Sequence, residues 1–229
     1  MALSHSPKIV TDGLVLCLDT GDGKSYSGSG TTWTDRSGNG DNGTLTNGPT
    51  FDSANGGSLV FDGIDDHIAI SPDFSSVNEF SVSFWAKNNV YGTETTQALA
   101  GNYPQGGTYI RINTMSTYFS ILVYVNGIEN NYFKTVNINY TLINKDDWNN
   151  YVVTFKNNDA LKIYVNSNLV DSQSLNSSIT GLNTFYKAIG RYAISYLWDG
   201  QIGSTFIHNK ALTAAEILQN YNATKGRFS

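Results

Sequence analysis

Carboxylate and imidazole side chains are the groups in this chain that could perform acid–base catalysis or hold a catalytic metal. The four glutamates are Glu79, Glu94, Glu129 and Glu216, and the three histidines are His5, His67 and His208. None of the glutamates begins a Glu-x-Asp-x-x-Glu pattern, with which glycanases place two carboxyl groups about 5 Å apart for retaining hydrolysis. The histidines form no His-Glu-x-x-His zinc motif, and the chain has no Gly-x-Ser-x-Gly elbow. We therefore expect a protein that is not an enzyme, and a cryptic glycanase assembled from distant residues is the catalytic alternative.

The best candidate for a metal site is the loop of residues 35–41, in which oxygen-bearing side chains alternate with other residues. Asp35, Asn39 and Asp41 are the predicted ligands, and their spacing resembles the first half of a calcium loop. Position twelve of that loop is Thr46 and not glutamate, so a complete EF-hand is excluded. Calcium is therefore the possible cofactor. The alternative is turn chemistry, in which Asp35 and Asn39 bond to nearby backbone groups.

A second acidic cluster, Asp62, Asp65 and Asp66, precedes His67 between two predicted strands. Three carboxylates this close in sequence could ligate a metal ion. The residues of the cluster are also typical of a turn, because Asp and Gly favour turn conformations. We expect a hairpin turn here in preference to a metal site.

Aromatic and amide side chains could bind sugars, because aromatic rings stack on pyranose faces and polar groups bond to the hydroxyls. The predicted ligand-binding residues are Trp85, Tyr103, Tyr109, Arg111, Tyr118, Tyr124 and Trp198. Asn126, Tyr132, Tyr164 and Tyr196 belong to the wider set of candidates. For each of these residues the alternative is packing within a β sandwich. Trp85 is the first candidate, because its position in a predicted strand should expose its side chain.

The strand signal that would position these side chains is clearest in residues 80–87, which alternate with period 2. One face carries Phe80, Val82, Phe84 and Ala86, and the other carries Ser81, Ser83, Trp85 and Lys87. We expect the first face to lie in the core. The second face should look outward or into the concavity of the sheet, which would expose Trp85 to a ligand.

Further strand signals recur every ten to twenty residues, the spacing of a sandwich or barrel. Residues 151–170 read as a three-strand meander that turns at residues 157–159 and 166–168. Other predicted strands are residues 13–19, 58–62, 67–70, 109–113, 118–125, 187–191 and 201–208.

One helix has clear start and stop signals, over residues 213–225. Thr213 and Glu216 have the spacing of a capping box, and Leu212 and Ile217 occupy the staple positions around it. Gly226 can end the helix. The prediction is thus an all-β fold, a two-sheet antiparallel jelly-roll sandwich with one short C-terminal helix.

Composition supports one β domain and excludes some partners. The chain has 229 residues with 13% aromatic and 14% charged side chains, which suits paired strands. The net charge is −5 and no Lys/Arg cluster could follow a phosphate backbone, so we expect no nucleic-acid partner. The single cysteine, Cys17, lies in an apolar run and is predicted to be a buried, unreactive thiol.

The N-terminal residues lack a basic region followed by an apolar stretch, and no apolar run approaches the roughly 20 residues that span a bilayer. We therefore expect no signal peptide and no membrane insertion. The expected organisation is an N-terminal arm, residues 1–11, followed by one domain, residues 12–229.

Eight segments together resemble the laminin-G-like, concanavalin A-like domains of bacterial surface proteins and tailed-phage virion proteins. They are GLVLCLD (13–19), SYSGSGTTW (25–33), DRSGNGDNGT (35–44), SLVFDG (58–63), FSVSFW (80–85), WNNYVVTF (148–155), LKIYVN (161–166) and ALTAAEILQNYN (211–222). The resemblance covers nearly the whole chain and implies the jelly-roll fold, often with a calcium ion at the rim. It does not choose a ligand, because this fold serves lectins, glycanases and structural modules.

The opening residues up to Asp19 and the closing run NYNATKGRF (220–228) resemble proteins of tailed phages. That resemblance implies a virion surface protein, such as a fibre, a tip or a capsid decoration. Its partners would be a host-surface glycan or other virion subunits, and a homo-oligomer is possible. The alternatives are a free calcium-dependent carbohydrate-binding module and the cryptic glycanase.

Overall fold

Antiparallel strands dominate the computed structural model, which describes residues 8–72, 78–90, 95–101, 109–114, 118–125, 132–139, 143, 147–175 and 187–228. The first nine strands are β1 Leu14–Asp19, β2 Thr32–Trp33, β3 Gly43–Thr46, β4 Thr50–Asp52, β5 Ser58–Asp62, β6 His67–Ala69, β7 Glu79–Asn88, β8 Thr95–Gly101 and β9 Tyr109–Thr114. The other nine are β10 Tyr118–Val125, β11 Tyr132–Asn139, β12 Asn149–Lys156, β13 Ala160–Val165, β14 Asn168–Ser174, β15 Ala188–Ile189, β16 Arg191–Tyr192, β17 Tyr196–Leu197 and β18 Asp199–His208. The α-helix, α1, spans Ala214–Thr224, and short 3-10 turns span Ala54–Gly56 and Lys225–Arg227.

These strands form two eight-stranded sheets. The first sheet has the order β14-β13-β12-β7-β18-β5-β4, with β1 also paired to β18. The second sheet has the order β11-β10-β9-β8-β15-β6-β3-β2, and β16 pairs with β17 in a separate small hairpin. The predicted two-sheet antiparallel sandwich is confirmed, and so is the meander, which is β12-β13-β14.

The inner faces of the two sheets meet in one large hydrophobic core. On β7 the predicted core face is confirmed, because Phe80, Val82 and Phe84 are almost completely buried. The ring of Phe80 stacks on that of Phe155 in the neighbouring strand, with centroids 5.3 Å apart. Burying each such side chain stabilises the fold by about 1.5–3 kcal/mol.

Helix α1 begins where the capping box predicts. The hydroxyl of Thr213 accepts from the Glu216 N–H at 3.3 Å, and the Glu216 carboxylate accepts from the Thr213 N–H at 2.8 Å. Leu212 and Ile217 are buried in one cluster with Val10, which holds the helix against the first sheet. In the described part of the chain, no helix is long and apolar enough to cross a membrane.

Residues of the predicted N-terminal arm contact the helix and the sheet. The Val10 N–H donates to the side-chain carbonyl of Asn220 at 2.7 Å, and the amide group of Gln219 donates to the Lys8 carbonyl at 2.7 Å. Val10 is itself buried. The domain therefore holds the described end of this segment, from Lys8 onward, in place.

Cys17 is buried, as its apolar surroundings predict. Burial, reinforced by the negative charges of Asp19 and Asp35, raises the pKa of the thiol to about 12. The thiol thus stays protonated at neutral pH, and a protonated thiol is a poor nucleophile.

The free energy of unfolding should depend on pH through His208, whose buried side chain contacts the N-terminal segment at Val10. Its Nε2 donates to the Val10 carbonyl at 3.0 Å, and its Nδ1 is buried without a hydrogen-bond partner among the described residues. Burial, aided by the positive charge of Lys210, lowers the His208 pKa. The unfolded state therefore binds more protons than the folded state below about pH 6.5, and the free energy of unfolding should fall as the pH drops through that value.

Urea unfolding between about pH 5 and pH 8 measures this dependence. His208→Gln should flatten it, because the glutamine amide can still donate to the Val10 carbonyl but does not titrate. Equal slopes in the wild type and the variant would show that His208 is not the group responsible.

Candidate functional site

Trp85 does not lie on an exposed face, so the prediction of an outward-looking side chain is wrong. Its side chain is 3% exposed and packs between the rings of Phe228 and Tyr221, at centroid distances of 4.6 and 5.5 Å. The indole N–H donates to the Thr224 hydroxyl at 2.7 Å. The outer face of β7 is covered here by α1 and the C-terminal residues, which a pattern within one strand could not reveal.

Trp198 is likewise a core residue and not a surface residue. It is fully buried within the core between the two sheets. Its backbone N–H donates to the Gly190 carbonyl at 2.9 Å, which fixes the base of the β16–β17 hairpin. A packing role accounts for this side chain.

Two of the predicted ligand-binding residues, Tyr109 and Arg111, lie side by side on strand β9. The alternate residues Ile110 and Ile112 are buried in the core, so period 2 places Tyr109 and Arg111 on the outer face of the second sheet. Tyr109 is mostly buried and Arg111 is half-buried. This strand thus forms one wall of a possible site.

The other wall is the β16–β17 hairpin, which folds back against the same sheet. Tyr192 pairs with Tyr196 in the hairpin, and the two rings lie 5.9 Å apart and nearly parallel. Gly101 at the end of β8 allows this close approach, because a Cβ atom at that position would lie 2.7 Å from the Cβ atom of Tyr192. The turn includes Ala193, whose left-handed φ of 54° costs about 1 kcal/mol or more.

Between these walls the guanidinium group of Arg111 is surrounded by tyrosine rings. Its central carbon lies 4.7 Å from the ring centroid of Tyr109, 4.5 Å from that of Tyr196 and 5.8 Å from that of Tyr192. The rings of Tyr109 and Tyr192 are themselves in contact, with centroids 4.2 Å apart. Distances of this size are those of cation–π interactions.

We call this site the tyrosine–arginine pocket. It is an open cavity of about 640 Å³, lined by Tyr109, Arg111, Tyr192, Ala193, Ile194, Ser195 and Tyr196. The lining combines aromatic faces, one cation and a serine hydroxyl, and Ile194 is exposed at the tip of the hairpin. Such a lining can stack on a sugar ring and donate hydrogen bonds to its substituents.

Three further predicted ligand-binding residues are Tyr103, Tyr118 and Tyr124. Tyr103 lies outside the described residues. Tyr118 and Tyr124 belong to β10, where the backbone of Tyr124 pairs with that of Tyr109. Sequence analysis places Tyr196 only in the wider set of candidates and misses Tyr192. The signal for both was two tyrosines separated by a short Ala-Ile-Ser turn, a spacing that fits a small hairpin.

The predicted calcium loop is organised around the Asp35 carboxylate. One of its oxygens accepts from the N–H groups of Cys17 and Ser37 at 2.9 and 2.8 Å. The other accepts from the Ser37 hydroxyl at 2.6 Å and the Gly40 N–H at 3.0 Å. Four donors thus surround this carboxylate, an arrangement that fits the turn alternative.

The other two predicted ligands belong to the same loop. The side-chain amide of Asn39 donates to the Val15 carbonyl at 3.0 Å, and Asp41 is half-buried. The geometry favours the turn alternative at Asp35, and calcium binding stays a prediction.

Replacing Asp35 with alanine should lower the free energy of unfolding by about 2 kcal/mol, because the buried donors would lose their acceptor. Hydrogen bonds from Ser37, Cys17 and Gly40 outweigh burial and lower the Asp35 pKa. This contribution is therefore present above the unfolded-state pKa and is lost as the pH falls through the folded-state value.

Thermal melts of the wild type and Asp35→Ala, each with calcium and with chelator, test both alternatives. A structural turn predicts the same loss of stability in both conditions. Calcium ligation predicts instead that saturating calcium stabilises the wild type alone, by about 2.7 kcal/mol at a hundredfold excess over its dissociation constant.

The second acidic cluster is a turn, but not the predicted hairpin. It joins β5 of the first sheet to β6 of the second, so it connects the two layers. The Asp62 carboxylate accepts from the Ile64 N–H at 2.8 Å, and the Asp66 carboxylate accepts from the Asp62 N–H at 3.1 Å. Ligand oxygens of Asp62, Asp65 and Asp66 lie within 4.8 Å of one another.

The most buried member of this cluster is Asp66. Burial, together with the negative charges of Asp62 and Asp65, raises its pKa. Asp62 and Asp199 also line a smaller cavity of about 230 Å³, which shares Ser195 with the tyrosine–arginine pocket.

Comparison with protein families places most of the chain in one group. Residues 61–218 match a laminin G family model that belongs to the concanavalin A-like lectin/glucanases superfamily. This range covers β6 to β18 and the first half of α1. No curated protein sequence matches the chain.

Similar folds occur in solved structures of toxins and toxin binding domains. The botulinum neurotoxin DC binding domain in complex with rat synaptotagmin II has a TM-score of 0.72 and 15% identity, with 94% of this chain and 52% of that chain covered. A structure of botulinum neurotoxin type C, whose cell entry depends on interaction with two ganglioside molecules, has a TM-score of 0.69 and 17% identity, with 94% of this chain and 52% of that chain covered. The binding domain of Paraclostridial Mosquitocidal Protein 1 has a TM-score of 0.69 and 16% identity over 93% and 52%. The chain thus spans about half the length of these structures, and identities this low show the fold alone.

Proposed function

Because this chain belongs to the concanavalin A-like lectin/glucanases superfamily, we propose that it is a glycan-binding domain without catalytic activity. Its binding site is the tyrosine–arginine pocket. The superfamily contains both binding and hydrolytic members, so the chemistry of the pocket must decide between them.

The observation that carries the proposal is the clustering of Tyr109, Tyr192 and Tyr196 around one open cavity on the outer face of the second sheet. Tyrosine rings offer apolar faces for the C–H surface of a sugar and hydroxyl groups for its polar edge. The corresponding face of the first sheet is covered at Trp85 by α1 and Phe228. Of these two faces, the second sheet thus offers the open aromatic surface.

The lining of the pocket favours binding over hydrolysis. Glycoside hydrolysis uses a pair of carboxyl groups beside the scissile bond, and none of the seven described lining residues carries one. The carboxylate cluster of Asp62, Asp65 and Asp66 lies outside this lining, and its buried member, Asp66, accepts from the Asp62 N–H. A carboxyl group that accepts from the backbone in this way supports a turn.

The neighbouring structures support the proposal at the level of the fold. One is the binding domain of botulinum neurotoxin DC in complex with SialylT, and another is from botulinum neurotoxin type C, whose cell entry depends on interaction with two ganglioside molecules. This chain corresponds to about half of each of those chains, and the bound molecules are not assigned to the shared half. The proposal therefore depends on this chain's own pocket.

The biological setting that we propose is the surface of a tailed-phage particle, where the domain would adhere to a host-surface glycan or to neighbouring virion subunits as a fibre, tip or capsid decoration. This setting is supported by the sequence resemblance at residues 1–19 and 220–228. Proteomic analysis of purified particles tests it: the protein should be a stoichiometric particle component. Its absence from particles would favour a free carbohydrate-binding module.

A glycan array probed with the purified protein tests the proposed function. We expect concentration-dependent binding to a defined subset of glycans, without release of reducing sugar from those that bind. Release of product would show a glycanase, and loss of binding with chelator would favour the calcium-dependent module. Absence of binding across neutral and acidic glycans would reject the proposal.

A further inference from the structure

The described lining of the tyrosine–arginine pocket carries one positive charge and no negative charge. Arg111 is the charged member among its described lining residues. On the flanking strands, the residues paired with Arg111 are Ala98 and Leu122, which have aliphatic side chains. Within the described part of the chain, no carboxylate forms an ion pair with Arg111.

The guanidinium group also has unused hydrogen-bonding capacity. It carries five N–H donors, of which the described contacts use one, a long bond of 3.4 Å from an Nη atom to the Tyr109 hydroxyl. Its Nε atom is buried without a hydrogen-bond partner among the described residues. That nitrogen has almost no exposed surface, so a ligand in the cavity would bond to the Nη atoms of the guanidinium group.

The surrounding rings hold this cation in one place. Tyr109 and Tyr196 lie on it at 4.7 and 4.5 Å, and Tyr192 completes the enclosure. Cation–π contacts stabilise the guanidinium but accept none of its in-plane hydrogen bonds. A planar, positioned fork of donors is the arrangement that binds a carboxylate or a sulfate through two parallel hydrogen bonds.

We propose that the tyrosine–arginine pocket selects saccharides that carry an acidic substituent, a carboxylate or a sulfate, and that Arg111 pairs with this substituent while the tyrosines contact the sugar ring. The inference rests on the proposed function and specifies its ligand class. The net charge of −5 makes the protein as a whole repel anions, so this selectivity must come from a local cation.

Matched pairs of immobilised oligosaccharides test this inference. Oligogalacturonate is compared with its carboxyl-reduced form, and a sulfated galactan oligosaccharide with its desulfated form. We expect the wild type to bind at least one acidic member about ten- to a hundredfold more tightly than its neutral partner, the range for a charge-assisted hydrogen bond. The two pairs distinguish carboxylate from sulfate recognition.

Arg111→Gln should remove this preference, and Arg111→Lys should keep only part of it, because lysine keeps the charge without the planar fork. Arg36→Gln is the matched control: it removes one positive charge from a half-exposed surface ion pair with Asp22, outside the pocket lining. It should leave both members of each pair unaffected. Circular dichroism and melting temperature establish that each variant is folded.

If the wild type binds the neutral members as tightly as the acidic ones, the inference is overturned while the proposed function stands. If Arg111→Gln retains the acidic preference, another group supplies the selectivity and the inference again fails. Binding of neither acidic nor neutral members of these pairs or of the array rejects the proposed function with it. The comparison within the wild type decides the question even if an Arg111 variant does not fold.

Discussion

Replacing Trp85 with alanine will lower the free energy of unfolding by about 3–5 kcal/mol, the range for removing a large aromatic side chain from a packed interior. Trp85 lies in a buried cluster with Trp148 and Phe228, and Tyr221 packs on its ring. The substitution also removes the donor to the Thr224 hydroxyl. This cluster holds the C-terminal residues to the first sheet, so their attachment should weaken with it.

Chemical denaturation with Trp85→Phe and Leu218→Ala as controls measures this effect. Phenylalanine keeps part of the ring contact and should cost less than alanine. Leu218 is exposed on α1, and its loss should change stability by about 0.5 kcal/mol or less. A Trp85→Ala protein of unchanged stability that no longer binds glycan would return Trp85 to the binding site and contradict the structure.

Replacing Tyr196 with alanine will weaken glycan binding by about thirtyfold, which corresponds to about 2 kcal/mol and is typical of an aromatic hot spot. Tyr196 is half-buried and lies 4.5 Å from the Arg111 guanidinium carbon. Its removal takes away a stacking surface and also loosens the position of the cation. Stability should change much less than for Trp85, because the side chain is not part of the core.

Titration of the tightest-binding array glycan with wild type, Tyr196→Ala and Tyr196→Phe measures this loss. The phenylalanine variant keeps the ring and should bind within about threefold of the wild type. Equal affinities for wild type and Tyr196→Ala would remove this tyrosine from the binding site.

The elements that sequence reasoning predicted well are those defined by local patterns. The alternation in β7 identifies Phe80, Val82 and Phe84 as core residues, because a strand places every second side chain on the same face. The capping box at Thr213 and Glu216 likewise marks the start of α1 within a few residues of sequence.

Long-range packing explains the predictions that failed. The outer face of β7 is covered by residues such as Phe228, more than a hundred positions further along the chain, so local alternation could not show that Trp85 is buried. The turn from Asp62 to Asp66 joins the two sheets. Its residue types are equally typical of a hairpin turn within one sheet, so the sequence does not distinguish the two. Calcium binding at Asp35 is a different case and stays a prediction. There the sequence fits calcium and turn chemistry equally, and the four donors around the carboxylate become visible only in the fold.

The tyrosine–arginine pocket was predicted only in part from the sequence. Tyr109 and Arg111 are predicted from their residue types, but Tyr192 is missed. It lies on the two-residue strand β16, which gives almost no periodic signal. The pocket exists because Gly101 lets the β16–β17 hairpin approach β8. Such an approach of two segments ninety residues apart has no counterpart in a local sequence pattern.

NMR can locate the bound glycan on the protein, through the backbone amide shifts of the isotope-labelled protein during titration with the tightest-binding array glycan. The tyrosine–arginine pocket predicts that the largest shifts fall on residues 109–111 and 191–197. Shifts concentrated instead around Asp62 and Asp199, or around Trp85 on the first sheet, would show that the glycan binds outside the tyrosine–arginine pocket.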